Sequence, residues 1–108
     1  DQSNTLIANS LKNVDVLISP CVIDFPHYVD DSIHYGPMDN LRGTAFQKFT
    51  VPFDYNRYPT LTLPCGLSSS GMPIGLQIIG HPMTEPLICA LGSAYETSTQ
   101  WSSIHPNI

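Results

Sequence analysis

Three consecutive hydroxyls, Ser68, Ser69 and Ser70, flanked by Gly66 and Gly71, are the side chains of this 108-residue sequence best suited by type to act as nucleophiles. A serine becomes reactive only beside a base positioned to take its proton. The two lysines, Lys12 and Lys48, are remote in sequence and share no motif with the serines, so a polar turn accounts for all three. His81, with Asp54 or Glu85 to orient it, has the right type for a base, but a triad depends on geometry that spacing does not supply. His27, His34, Asp30 and Asp31 bring nitrogen and oxygen donors to one stretch without the defined spacing of convergent metal ligands. They read as a polar loop, and no metal or cofactor is implied. Gln47, Thr50, Phe53 and Arg57 recur every three or four residues, so a helical turn would align them on one face.

The elements that must position these residues are poor in charge. Residues 58–84 contain no Asp, Glu, Lys or Arg, and the whole chain is 42% hydrophobic but only 12% charged, about half the charged share usual for a soluble globular domain. A chain of this length holds one small core at most. A self-contained domain of that size needs proportionally more solvated polar surface, so the composition favours a chain that packs against a larger body. The net charge is -5, and the four cations, Lys12, Arg42, Lys48 and Arg57, form no cluster. Phosphate binding depends on grouped Lys and Arg, so nucleic acid is not an expected partner. No stretch approaches 18 consecutive apolar residues, and no basic leader precedes an apolar segment, so neither a membrane span nor a signal peptide is expected. Cys21, Cys65 and Cys89 are odd in number and lack metal-type spacing. They read as reduced and structural, which points to a cytoplasmic setting.

Along the chain, residues 4–12 carry apolar positions at helical spacing, and residues 14–19 read as a short buried strand stopped by Pro20. Residues 22–45 are punctuated by Pro26, Gly36, Pro37 and Gly43 and read as a long surface loop of the kind that serves as a lid or pocket wall. Residues 45–54 suit a helix broken at Pro52. Residues 60–64 and 74–80 read as strands of a hairpin, joined by a Gly/Ser turn. The second of them is apolar on both faces, as suits a strand covered on each side. Thr84 is suited to cap a helix with Glu85 and Pro86 in its first turn. Leu87, Leu91, Ala94 and Tyr95 would line one face of that helix as far as about residue 100.

Two segments, PTLTLPCG at 59–66 and GMPIGLQIIG at 71–80, followed by Glu85, Leu87, Ala94, Tyr95 and Glu96, closely resemble the C-terminal end of the amidase signature family. A weaker match at NVDVLISPC, residues 13–21, extends the likeness over most of the chain. The resemblance implies an α/β fold, in which this chain is the C-terminal part of a mixed β-sheet core flanked by helices. Residues 1–108 would then be one segment of a single amidase domain, not independently complete. It also implies hydrolysis of a carboxamide or related C–N bond by a Ser-cisSer-Lys triad. That triad matches nothing on this chain, so the catalytic residues belong to the N-terminal remainder of the amidase and the chain alone should be inactive.

The expected partners are therefore that remainder and a small-molecule amide substrate, with a homo-oligomer also open. By the same resemblance, Gln47, Thr50, Phe53 and Arg57 fall in the segment that walls the acyl pocket. Cys21 matches a position, frequently a small Thr, that faces either the active-site side of the sheet or the core. The family often has an Asn followed by a Thr/Ala-Gly pair where this chain has Asp54, Tyr55, Asn56 and Arg57, so substrate preference does not carry over. The branch of tRNA-dependent amidotransferases commonly has an acidic residue at the place of Gln47, and its absence points away from that branch. The rival reading is a non-catalytic subunit or interaction domain on the same scaffold.

Overall fold

The computed structural model describes residues 2–25 and 47–105. The expected loop at 22–45, with His27, Asp30, Asp31 and His34, lies outside them except for residues 22–25, which form irregular bends. The described residues build helix α1 (Gln2–Leu11), strand β1 (Val16–Pro20), helix α2 (Val51–Asn56), strand β2 (Thr60–Leu67), strand β3 (Pro73–Gly80), helix α3 (Glu85–Ser98) and a 3₁₀ turn at Trp101–Ser103.

β3 is the central strand of a three-stranded antiparallel sheet ordered β1-β3-β2. Ile78 of β3 pairs with Ile18 of β1 and Leu61 of β2, and Gln77 pairs with Ser19 and Thr62. The two outer strands each carry a proline that a central strand would not tolerate. Pairing with β3 therefore continues through Pro20, which sits opposite Leu76, and on to the Cys21 N–H, which donates to the Gly75 carbonyl at 3.3 Å. Pro20 is the last residue of β1, as expected, and its missing N–H faces away from β3. β2 likewise runs beyond Pro64 to Leu67. It does so through a bulge in which Cys65 is the extra residue between the pairs Pro64 with Gly75 and Gly66 with Ile74.

Because side chains alternate across a strand, successive residues of β3 feed two separate cores. Ile79 joins Ile7 and Leu11 of α1 and Tyr58, with Leu17 and Phe53 packed alongside. Ile78 joins Leu63 and Ile88 on the opposite face, with Val16, Leu61, Leu76 and Tyr95 around them. α1 and α2 therefore cover one face and α3 the other. The expectation of a strand covered on both sides describes the C-terminal half of β3, where residues 77–80 are all buried. Each fully enclosed isoleucine is worth about 1.5–3 kcal/mol of transfer free energy.

Three local expectations change. Pro52 does not break a helix; it occupies the first turn of α2, where an N–H would have no partner in any case. Thr84 precedes α3, but its hydroxyl donates to the His81 carbonyl at 2.7 Å and makes no capping bond. The buried face of α3 is Ile88 and Gly92, with Tyr95 half-buried, while Leu87 and Leu91 are exposed in this chain. Two apolar stripes lie side by side on that helix, and Gly92 selects between them. A Cβ at Gly92 would run into Leu61 Cδ2, so its absence is what lets the helix settle on the sheet along that line.

Candidate functional site

On the face covered by α1 and α2, the apolar cluster around Ile79 gives way to a polar one two residues back along β3. Among the described residues Gln77 is the buried polar side chain, only 2% exposed. Its amide nitrogen donates to the Phe49 carbonyl at 2.8 Å and to Ser19 Oγ at 3.3 Å. Ser19 Oγ donates in turn to the Pro20 carbonyl at 3.1 Å. A buried amide without partners would cost about 1–3 kcal/mol, so this placement requires the turn at residues 47–50 to lie where it does.

A further two residues back, Gly75 leaves room for Cys21. A Cβ on Gly75 would meet Cys21 Sγ at 3.0 Å and Thr62 Cγ2 at 3.6 Å. Cys21 is buried, and the removal of its thiol from water raises its pKa; a hydrogen bond from Thr62 opposes that rise, and the nearby Cys65 adds to it. The thiol is therefore kept protonated, the opposite of what a nucleophilic cysteine needs. Beside it, a cleft of about 180 Å³ is lined by Pro20, Val22, Ile23 and Phe25 against Pro73 and Ile74. The Asp24 carboxylate at its rim accepts the Phe25 N–H at 2.8 Å.

The four residues at helical spacing differ in exposure. Gln47 is exposed in the turn before α2, and its carbonyl accepts the N–H groups of Thr50 and Val51 at 3.1 and 3.0 Å. Thr50 is the N-cap residue, with its hydroxyl 3.4 Å from the same carbonyl. Phe53 is half-buried against the cluster of Ile7, Leu11, Tyr58 and Ile79. Arg57 is exposed and ends α2 in the left-handed conformation, φ 60°. Helical bonds from the Val51 N–H to the Gln47 carbonyl and from the Asp54 N–H to the Thr50 carbonyl carry the turn from residue 47 to 54, within which Thr50 and Phe53 are half-buried and Gln47 is exposed. What the structure brings together is Cys21 with Thr62 at Gly75 and, further along the strands, Gln77 with Ser19 and the backbone of the 47–50 turn.

The two catalytic candidates do not meet. Ser68 builds the hairpin turn: its N–H donates to the Met72 carbonyl, its hydroxyl oxygen accepts the N–H of Met72 at 3.0 Å and of Ser70 at 3.2 Å, and it lies 2.8 Å from Ser70 Oγ. His81 follows the opposite end of β3, roughly 23 Å away at about 3.3 Å per residue. Its Nε2–H donates to the Val14 carbonyl at 3.0 Å, so that nitrogen has no free lone pair. Gln77, Ser19 and Thr62 are not among the site residues that spacing or resemblance points to. The available signal is a lone amide in an apolar, charge-free strand, a group that has to find a partner once buried.

A helix–sheet–helix segment with this hairpin is part of an α/β core, and the amidase family model matches residues 2–89. The chain belongs to the amidase family. It is 35% identical to a glutamyl-tRNA(Gln) amidotransferase A-subunit from Thermodesulfovibrio yellowstonii over 97% of this chain and 22% of that protein. It is 41% identical to the protein of the same name from Acaryochloris marina over 92% of this chain and 20% of that protein. A solved 6-aminohexanoate cyclic dimer hydrolase superposes with a TM-score of 0.82 at 26% identity, covering 97% of this chain and 23% of the hydrolase. The chain thus spans about a fifth of the length of the curated relatives it matches, aligned to their C-terminal part. Relatives from the amidotransferase branch match despite Gln47, which pointed away from it.

Proposed function

We propose that the complete protein is a serine amidohydrolase that cleaves a carboxamide or related C–N bond of a small molecule. In this reading residues 1–108 are one segment of a single amidase domain, and the nucleophile and its lysine lie in the N-terminal remainder. The observation that carries it is the TM-score of 0.82 to a hydrolase over 97% of the chain. As the family resemblance implies, a serine Oγ attacks the carbonyl carbon and passes its proton through the Ser-Lys relay. Backbone donors hold the oxyanion. The C–N bond breaks as the leaving nitrogen takes the proton, and water then attacks the acyl-enzyme, releasing the acid and restoring the serine. The chain's share is sheet core and a wall of the acyl pocket formed by Gln47, Thr50, Phe53, Arg57 and Cys21. The three free cysteines support an intracellular setting.

A second reading, in which the chain is part of a tRNA-dependent amidotransferase, is favoured by the names of the curated relatives. The two separate on the fate of the amide: a hydrolase releases acid and amine to water, whereas a transferase requires a separate acceptor for the nitrogen. For the wall, Phe53→Ala in the complete protein should reorder kcat/KM across a series of short and long acyl amides, since a methylene-scale change in a pocket is worth about 1–3 kcal/mol. It should also lower stability, because part of the ring packs on the Ile79 cluster. A large loss of stability with an unchanged ranking would remove Phe53 from the pocket.

A further inference from the structure

We infer that Gln77 is a positioning residue for substrate selection: its buried amide fixes the 47–50 turn, and with it α2, at a set height over the sheet. This rests on the pocket-wall reading given above. Among the described residues no strand pairing joins residues 47–57 to the sheet, which is ordered β1-β3-β2. The turn is closed on itself by the Thr50 and Val51 N–H groups donating to the Gln47 carbonyl. α2 is one and a half turns long, too short to hold its place by helix propensity. Its apolar anchors, Phe53 within it and Tyr58 just beyond its end, pack in the Ile79 cluster.

At the near end, the 2.8 Å bond from Gln77 Nε2 to the Phe49 carbonyl ties the turn to the middle strand. The second N–H, on Ser19 Oγ, fixes the amide plane and ties the same group to β1, two residues before Cys21. One side chain therefore sets the distance between the two parts of the proposed wall: Cys21 at the end of β1, and Gln47 and Thr50 in the turn. An apolar residue at 77 would fill the space as well and would leave that distance free to vary.

The test is Gln77→Met in the complete protein. Methionine is close to glutamine in volume and shape, so the core stays filled while both hydrogen bonds go. Ser19→Ala is the control, since it removes one bond and keeps the tie to Phe49. In Gln77→Met, the amides of Thr50, Val51, Phe53 and Asp54 should exchange with solvent about tenfold faster or more, the scale of one lost hydrogen bond, while those of β3 and α3 hold their rates. The kcat/KM ranking over the acyl series should change mainly through KM. Ser19→Ala should shift the ranking less than Gln77→Met does, since β1 stays paired with β3 through its backbone and the tie to Phe49 remains.

If exchange at residues 50–54 and the ranking both stay as in wild type, or if kcat falls equally for every acyl group at constant KM, the positioning role is wrong. Should the wild-type protein turn over no amide at all, the hydrolase reading falls separately. Exchange then decides alone whether Gln77 holds the turn: faster at residues 50–54 supports it, unchanged overturns it.

Discussion

The thiol of Cys21 is enclosed by Gly75 and Thr62, and two measurements follow. Cys89 is exposed on α3 and Cys21 is buried, so a neutral alkylating agent should modify Cys89 first and Cys21 last; early loss of Cys21 would contradict the burial. Because burial raises the folded-state pKa above that of the unfolded chain, the thiol's contribution to stability is complete below the ordinary thiol range, about 8.5. It fades as pH rises through the folded value. The stability of the complete protein should therefore fall more steeply above about pH 8.5 than that of Cys21→Ala. Parallel curves would show that Cys21 is not the group responsible. Arg57 is not a glycine, yet it adopts φ 60°, a conformation that costs an L-residue roughly 1–2 kcal/mol. Replacement by glycine relieves that cost, although the freer unfolded chain takes part of the gain back. Arg57→Gly should raise stability by about 0.5–1 kcal/mol in a denaturant melt, and a loss would mean the guanidinium makes a compensating contact.

Among the elements, α3 presents two apolar stripes and uses one. Ile88 and Gly92 meet Leu61 and Leu63, while Leu87 and Leu91 face outward. If the remainder of an amidase covers the second stripe, Leu91→Glu will act oppositely in two settings. In the complete protein it should cost about 2–4 kcal/mol, the sum of lost apolar burial and an enclosed charge. In the isolated 108-residue chain it should reduce aggregation and leave the melt unchanged or sharper. Equal effects in both settings would mean that nothing covers this face of α3.

At the scale of the whole molecule, the described residues form two thin cores on either side of one central strand, with large apolar side chains exposed around them, among them Leu6, Ile18, Tyr55 and Met83. The isolated chain should therefore melt broadly and bind a hydrophobic dye at neutral pH, as loosely packed states do. A sharp, cooperative melt of the monomer would show that it is a domain in its own right. It should also hydrolyse no amide or activated ester. Turnover that disappears in Ser69→Ala would overturn both the turn assignment of the serines and the location of the nucleophile elsewhere. Among the described residues no helix is long and apolar enough to cross a membrane.

The family, the hairpin of β2 and β3, and the double burial of β3 are all legible in the linear chain. They depend on local period and on turn chemistry, which a one-dimensional pattern records: apolar residues on both faces of 74–80, and glycines and serines between the strands. The turn placement of the serines is legible too, because a nucleophile without a base is visible as an absence of lysine nearby. Which stripe of α3 is buried emerges only from packing in three dimensions, since the choice turns on a close approach at Gly92 to Leu61, far back along the chain. The same holds for Pro64 lying inside β2, because tolerance of proline depends on whether its position needs an N–H toward a neighbouring strand, which is a property of the sheet and not of the strand. The partnership of Gln77 with Phe49 and Ser19, separated from it by 28 and 58 positions, has no counterpart in any local pattern. A hydrogen bond is specified by where two backbones come together, and that is set by the packing of α1, α2 and the sheet as a whole.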